Sequence, residues 1–329
     1  MLMRVGIAGS LTWIWWINVC FVVYLDRESS LADKHCLQFL RRTREDHLIL
    51  QRTFRSPAKI NLCLHVLGRL DSGFHALAMA MQRVDLYDTV HIKLTGGVGI
   101  KVECSEVELP EGDENIAAKA ARALLSLTGL EAGVDIRIEK RIPVAAGLGG
   151  GSSNAATVLL GLNEMLGKKI GMAKLMQLGG ELGADVPFFI FQKPAWATGT
   201  GTTLESLPVL PKVAYLLINP GITVSTADVY RSLQLTKGGE LANLPRFSVK
   251  TKDDLCDALY NDLESVTLPR FPVIAEIKQR LLAEGALGAL MSGSGATVFG
   301  VFGDFAAANR AAKVLAAEKK WLVFPVRPV

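Results

Sequence analysis

From Ser56 onward the apolar positions follow two periods in turn. Leu62, Leu64 and Val66 alternate with Cys63 and His65, a period of two that predicts a half-buried strand. Val90, Ile92 and Leu94 repeat that period, as do Val134, Ile136 and Ile138. Between these two strands an Ala/Leu-rich helix is predicted over residues 115–127, with Gly112-Asp113 before it and Gly129 after it. Ala155, Leu159, Leu162 and Leu166 have helical spacing, and Gly167 stops that helix. A short helix near residues 174–182 leads into the apolar run Val186–Phe191, which reads as a buried strand.

The turn-rich stretch Ala197-Thr-Gly-Thr-Gly-Thr-Thr203, with Pro208 and Pro211 soon after, breaks the pattern and marks a domain boundary. Beyond it come a strand over 214–218, helices near 226–233 and 273–282, a strand over 298–302, a helix over 305–317 and a last strand over 321–326. There is no internal repeat and no low-complexity tract. A length of 329 residues also suits two domains, here 56–205 and 206–329.

The first fifty-five residues stand apart. Residues 5–25 form a run without a charge, VGIAGSLTWIWWINVCFVVYL. That is long enough to cross a bilayer, which takes about 20 residues, and longer than the apolar core of a secretory signal. Arg27, Lys34, Arg41, Arg42 and Arg44 follow it and Arg4 precedes it, so a spanning helix would keep the body in the cytosol. A second reading is a mis-set translation start, with globular patterning from Ser56 and initiation at a codon such as that of Leu50. A targeting peptide is the third.

Composition narrows the class of function. Half the residues are apolar and 21% are charged, a globular balance that excludes disorder, collagen and coiled coil for the whole chain. The net charge is +4, and residues 1–55 hold eight Lys/Arg against five Asp/Glu, so the body is close to neutral. It has no basic field to grip a nucleic acid. The five cysteines, Cys20, Cys36, Cys63, Cys104 and Cys256, are scattered, which fits reduced thiols in the cytoplasm rather than a zinc site or a disulfide framework.

The most informative segment is Ile142-Pro-Val-Ala-Ala-Gly-Leu-Gly-Gly-Gly-Ser-Ser-Asn-Ala-Ala156. A strand ends at Ile138, the glycines Gly147, Gly149, Gly150 and Gly151 follow, and a helix is expected to begin at Ser152 or Ser153. Glycine backbone approaches a ligand closely, and the first turn of a helix offers N–H groups and a positive dipole end. Such a site suits a phosphate chain. It lacks the Gly-Lys-Ser/Thr of a Walker loop, and Ser152 stands where a Rossmann fingerprint needs its third glycine. Gly293 and Gly295 in Met291-Ser-Gly-Ser-Gly-Ala296 form a second candidate loop, which alone reads equally as a plain turn.

Three segments together resemble the GHMP kinases, a superfamily of small-molecule kinases. They are Pro57-Ala-Lys-Ile-Asn-Leu62, the glycine–serine loop and Met291-Ser-Gly-Ser-Gly-Ala296, in that order, over essentially all of residues 56–329. Gly73-Phe-His75, the GLGGGSSNAA form of the loop and Leu182-Gly-Ala-Asp-Val-Pro187 are similar to the branch that phosphorylates the 2-hydroxyl of 4-diphosphocytidyl-2-C-methyl-D-erythritol, in non-mevalonate isoprenoid synthesis. The resemblance implies a two-domain α+β fold: an N-terminal α/β domain with the glycine-rich phosphate loop, and a ferredoxin-like α+β C-terminal domain. It implies ATP as phosphoryl donor and Mg²⁺ as its partner, with no protein ligand for the metal identified. Other acceptors within the superfamily (homoserine, mevalonate, a sugar) and a catalytically silent nucleotide-binding protein are the alternatives.

The resemblance also assigns residues. Lys59 and Asp185 become the catalytic pair, Asp185 accepting the hydroxyl proton and Lys59 drawing charge from the transferring group. Asn61 is implied at the methylerythritol, Phe74 and Tyr230 on either side of the cytosine, and His75 at the base edge. Phe74 stands where the family usually has Tyr, which keeps stacking and loses a hydroxyl. ATP is implied to meet Asn115, Ile116, Lys140, Pro143, Gly147, Leu148, Gly149, Gly150, Gly151, Ser152, Ser153, Gly293 and Gly295. From sequence alone Lys140 reads equally as a solvated strand-end charge, amid Arg137, Glu139 and Arg141. The expected partner is a small molecule, with no nucleic acid, membrane contact only if residues 5–25 insert, and a monomeric or homodimeric state.

Overall fold

The computed structural model describes residues 6–7, 10–11, 50–71, 73–104, 115–234, 247–318 and 321–329. Apart from a two-residue antiparallel pairing of Gly6–Ile7 with Ser10–Leu11, the apolar segment 5–25 lies outside the described residues. Among the described residues no helix is long and apolar enough to cross a membrane.

Contacts divide the chain into two compact units, each drawn from separated stretches. One takes residues up to Arg55 with Thr89–Lys140 and Asn154–Leu182; the other takes Ser56–Asp88, Arg141–Ser153 and Gly183–Val329. Two long strands, β1 (Leu50–Arg69) and β2 (His75–Thr95), contribute residues to both.

In the first unit the end of β2 runs antiparallel to β4 (Gly133–Glu139), with Val90 opposite Ile138, Ile92 opposite Ile136 and Leu94 opposite Val134. β3 (Gly99–Cys104) adds to β4 in parallel. All six of these apolar side chains are buried, as their alternation requires. Helix α1 (Ile116–Thr128) turns Ala117, Ala120, Ala121, Leu124 and Leu125 inward. It starts where Asn115 Oδ1 accepts from Ala117 N at 2.9 Å and stops at Gly129, φ 64°. Helices α2 (Gly150–Met165) and α3 (Met172–Leu182) follow. Patterning begins before Ser56: strand β1 starts at Leu50, itself buried, and Arg52 pairs with Glu164 while Thr53 Oγ1 meets His91 Nδ1. The period is faint in the sequence because Arg52 stands between Leu50 and Phe54 on the inner face, while Gln51, Thr53 and Arg55 point outward.

In the second unit Leu77–Met81 of β2 pairs antiparallel with β5 (Ala195–Gly199), which turns back into β6 (Thr203–Ser206). The turn-rich stretch Ala197–Thr203 is therefore a hairpin within one sheet rather than a break in the pattern. A short strand, β8 (Tyr260–Asn261), joins β1 in parallel at Cys63 and Leu64.

The apolar run Val186–Phe191 is helix α4, not a strand. Val186 to Ile190 are all buried, so the run shows no period, and Pro187 in its first turn fits a helix start.

The second sheet has β7 (Ala214–Asn219), β9 (Gly288–Met291), β10 (Val298–Phe302) and β11 (Leu322–Val326) in the order β9-β10-β7-β11, all antiparallel. Among the described residues between β7 and β9 lie the helices α5 (Thr226–Ser232), α6 (Lys252–Asp257), α7 (Glu264–Arg270) and α8 (Pro272–Ala283). With α9 (Phe305–Glu318) between β10 and β11, the connection is βαββαβ, the ferredoxin-like arrangement. A single apolar cluster in this unit joins Ala58, Ile60 and Leu62 of β1 to Leu217 and Phe299 of the second sheet and to Ala146 and Leu148 beside the glycines. The strand that carries Lys59 and Asn61 is thereby packed as core, each large side chain contributing ~1.5–3 kcal/mol.

Candidate active site

The site is built on β1. Residues 58, 60 and 62 face the apolar cluster, so Lys59 and Asn61 share the opposite face. The Lys59 side chain is 5% exposed, and its Nζ lies 3.5 Å from Asp185 Oδ2 and donates to Asn61 Oδ1 at 2.6 Å. Asp185 stands immediately before α4 and makes no capping hydrogen bond, so its carboxylate is turned to Lys59 rather than to the helix it precedes. At 30% side-chain exposure it still reaches solvent, as a group that meets a substrate hydroxyl must.

The glycine loop is fastened at several points. Asp88, fully buried, accepts from Arg141 N and Ile142 N at 2.8 and 2.9 Å and so fixes the approach to the loop. Lys59 N donates to Leu148 O at 3.0 Å, and Thr297 N donates to Ala146 O at 3.3 Å. Ser292 Oγ donates to Gly147 O at 2.9 Å and accepts from Asn61 N at 3.3 Å. The two glycine loops are thus one assembly.

Gly147 (φ 76°) and Gly149 (φ 68°) need the left-handed region, and close packing adds to the need. A Cβ on Gly147 would sit 2.0 Å from Ser292 O; one on Gly149 would sit 3.0 Å from the Phe189 ring and 3.1 Å from the Lys59 stem. Ala145, exposed on the approach to the loop, holds φ 51° without being glycine, a strained conformation of the kind that collects at working loops.

Helix α2 begins at Gly150, two residues earlier than Ser152, so both serines lie inside its first turn. The reason is local: glycine at the start needs no side-chain cap, and Ser153 N already donates to Gly149 O at 2.9 Å. Ser153 is fully buried and its hydroxyl accepts from Ser56 Oγ at 2.8 Å. Pro143, Gly149, Gly150 and Ser152 are half-buried, Gly151 is exposed, and Leu148, Gly293 and Gly295 are buried.

In the same unit, the His75 ring stacks on Tyr230 with centroids 5.1 Å apart and planes 30° apart. Partial burial and the charge of Arg69 push the His75 pKa below that of a free imidazole, so the ring is neutral at pH 7. Burial and the nearby Asp185 carboxylate push Tyr230 well above the ordinary phenol range. The pair is therefore an uncharged platform. Phe74 is 66% exposed, a large apolar ring left in solvent beside that platform.

Asn115, Ile116 and Lys140 belong to the other compact unit. Asn115 caps α1 and Ile116 is its first residue. Lys140 is 8% exposed and donates to Asn154 Oδ1 at 3.2 Å, so it is not a solvated strand-end charge. Sequence reading missed Ser56, Asp88, Asn261 and Ser292. Ser56, Asp88 and Asn261 lie outside the glycine motifs, Ser292 sits within one without being a glycine, and each acts through a contact far along the chain.

Among the described residues no group of three or more His, Cys, Asp and Glu side chains is placed to hold a metal ion, and Cys63, Cys104 and Cys256 are free thiols. The glycine loop that opens the first turn of α2, with its N–H groups, suits a phosphate chain.

Comparison with known proteins agrees with this geometry. The GHMP kinase N-terminal domain matches residues 115–193 and the GHMP kinase C-terminal domain residues 242–320. A 4-diphosphocytidyl-2-C-methyl-D-erythritol kinase of Syntrophotalea carbinolica is 57% identical over 277 residues, 84% of this chain and 99% of that protein. One from a Geobacter species is 53% identical, over 83% of this chain and 98% of that protein. A crystal structure of a 4-(cytidine 5'-diphospho)-2C-methyl-D-erythritol kinase superposes with a TM-score of 0.69 at 35% identity, covering 84% of this chain and 99% of that one. With motif order, sheet topology and near-full-length identity in accord, the chain belongs to the 4-diphosphocytidyl-2-C-methyl-D-erythritol kinase family of the GHMP kinases.

Proposed function

We propose that this chain transfers the terminal phosphoryl group of ATP to the 2-hydroxyl of 4-diphosphocytidyl-2-C-methyl-D-erythritol. The observation that carries the reading is the Lys59–Asp185 pair, with Gly149 of the phosphate loop packed on the Lys59 stem. Phosphoryl transfer asks little covalent chemistry of a protein: it needs a phosphate cradle, positive charge and an oriented hydroxyl. ATP supplies the phosphoryl group, and Mg²⁺ enters as the partner of its phosphates, since no metal site is built from the described residues.

The chain's own part follows from its contacts. The loop from Gly147 to Ser153 with Pro143, Gly293 and Gly295 binds the phosphates, and the family resemblance adds Asn115, Ile116 and Lys140 as expected ATP contacts. Asn61 accepts from Lys59 at 2.6 Å and so holds the ammonium in line with Asp185. Asp185 takes the hydroxyl proton as the new O–P bond forms and the bond to the ADP oxygen breaks. Lys59 offsets the negative charge on the transferring group. The neutral His75–Tyr230 platform and exposed Phe74 take the cytosine, stacking at about 1–3 kcal/mol per ring.

The positions of the two family domains, 115–193 and 242–320, support a division of the sequence near residues 205–206. Free thiols and a body of near-neutral charge support a cytoplasmic small-molecule enzyme without a nucleic-acid partner.

The test is ADP release with ATP, Mg²⁺ and the cytidylyl acceptor, beside Asp185→Asn and Lys59→Ala. Both variants should lose about 10²–10⁴-fold in kcat, the range for a positioned proton acceptor and its partner. A folded wild-type protein that binds ATP and releases no ADP with this acceptor would overturn the assignment.

A further inference from the structure

The second glycine loop is held by a segment without any glycine, Asn261-Asp-Leu-Glu264. Asn261 is 6% exposed and its Nδ2 donates to both Met291 O and Gly293 O at 2.8 Å, while its Oδ1 accepts from Leu263 N at 3.0 Å. Glu264 accepts from Met291 N at 2.9 Å through Oε1 and pairs through Oε2 with Lys278 Nζ at 2.6 Å. Thr267 Oγ1 donates to Ser294 O at 3.4 Å. Each side chain thus grips a peptide group of the turn rather than merely filling space beside it.

Within that grip sits Ser292, whose hydroxyl touches both halves of the proposed machinery. It donates to Gly147 O and accepts from Asn61 N. A Cβ on Gly293 would meet Gly147 O at 3.3 Å and Asn61 Oδ1 at 3.5 Å, so the turn has little room to shift. A buried amide spanning two carbonyls of one turn specifies the shape of that turn, which an apolar side chain of equal size could not do.

We propose that Asn261 is a positioning residue for phosphoryl transfer: its side-chain amide fixes the Met291–Gly293 turn, from which Ser292 sets the spacing between the Gly147 loop and the strand bearing Lys59 and Asn61. This rests on the kinase reading, and it adds a residue outside every glycine motif. Asn261 meets neither ATP nor the acceptor; it acts through Ser292.

Asn261→Asp tests it, because the shape and the acceptor for Leu263 N are retained while both donors are lost. Binding of ATP is measured by calorimetry, and kcat and the two KM values by ADP release, with circular dichroism to confirm folding. ATP binding should weaken about tenfold, as the loss of a net hydrogen bond or two implies. A loop displaced by about 1 Å should lower kcat about 100-fold. The KM for the acceptor should stay within about twofold, since the His75–Tyr230 platform is untouched. A folded Asn261→Asp protein with wild-type ATP binding and kcat would overturn the proposal, and so would equal loss of affinity for both substrates. Should that variant fail to fold, Ser292→Ala decides, with the same split expected and the same results counting against it. If the wild type shows no turnover yet Asn261→Asp still weakens ATP binding, the acceptor assignment fails and this inference stands.

Discussion

Gly147→Ala puts the loop geometry under its most direct strain. The new Cβ would lie 2.0 Å from Ser292 O, 3.0 Å from Ser292 C and 3.2 Å from Gly295 O, all backbone atoms with no side chain to swing aside. The contact must lengthen by about 1 Å before it reaches even the shortest spacing real Cβ atoms show. A left-handed φ of 76° at a non-glycine residue adds about 1–2 kcal/mol. Parting the loops also stretches the 2.9 Å bond from Ser292 Oγ to Gly147 O, a loss of about 1 kcal/mol. The sum, about 2–3 kcal/mol, is a fraction of the ~5–15 kcal/mol that ordinarily separates folded from unfolded states, so the variant should still fold.

Activity should suffer more than stability. A displacement of about 1 Å at the phosphate cradle is worth about 100-fold in rate, or about 2.7 kcal/mol of barrier. Two controls separate the causes. Gly285 has φ 91° and nothing within 4 Å of its Cβ position, so Gly285→Ala should bear the backbone cost and leave kcat/KM unchanged. Gly171→Ala has open space and no left-handed φ, and should change neither. The assay is kcat/KM by ADP release beside thermal unfolding. A Gly147→Ala protein within about threefold of wild-type kcat/KM, less than ~0.7 kcal/mol, would refute the interlocked-loop reasoning.

Two further outcomes are expected. The depressed His75 pKa means that the ring gains its proton only below the ordinary imidazole range, so KM for the cytidylyl acceptor should be flat above pH 6.5 and rise on acidification below it; His75→Gln should remove the rise, and an unaltered profile in that variant would sink the platform reading. Asn115→Ala removes the cap of α1 and should cost about 1 kcal/mol, a fall of about 1–2 °C in Tm for a chain of this size, while Asn115→Ser restores Tm because its hydroxyl can cap as well. Should Asn115→Ser also restore the KM for ATP, the ATP contact assigned to Asn115 is wrong.

Much of this protein is legible along its sequence, and the legible parts share a cause. Strands such as Gly133–Glu139 and helices such as Ile116–Thr128 announce themselves because period, caps and stops are local: Asn115 and Gly129 do their work within a few residues. The glycine loops are legible for the same reason, since Gly147 and Gly149 answer to backbone angles set in their own turn. Val186–Phe191 could not be read this way: a run buried on every side has no period, and only its neighbours decide between strand and helix. In Ala197–Thr203 the turn residues mark a reversal without saying what the chain reverses onto, which here is β5, itself laid against β2.

The site itself divides along the same line. The glycines pointed to phosphate chemistry and the family resemblance assigned Lys59 and Asp185, but the 3.5 Å between those two exists because β1 and the start of α4 are packed together. Asp88 and Asn261 left no mark at all in the sequence pattern, and nothing in the glycine motif around Ser292 singled out its hydroxyl. Their role is to satisfy peptide groups of distant loops, and a hydrogen bond between residues far apart in the chain has no period to betray it. Local geometry and hydrophobic period determined the elements and the kind of chemistry; long-range packing alone decided which polar groups meet, and so where that chemistry can happen.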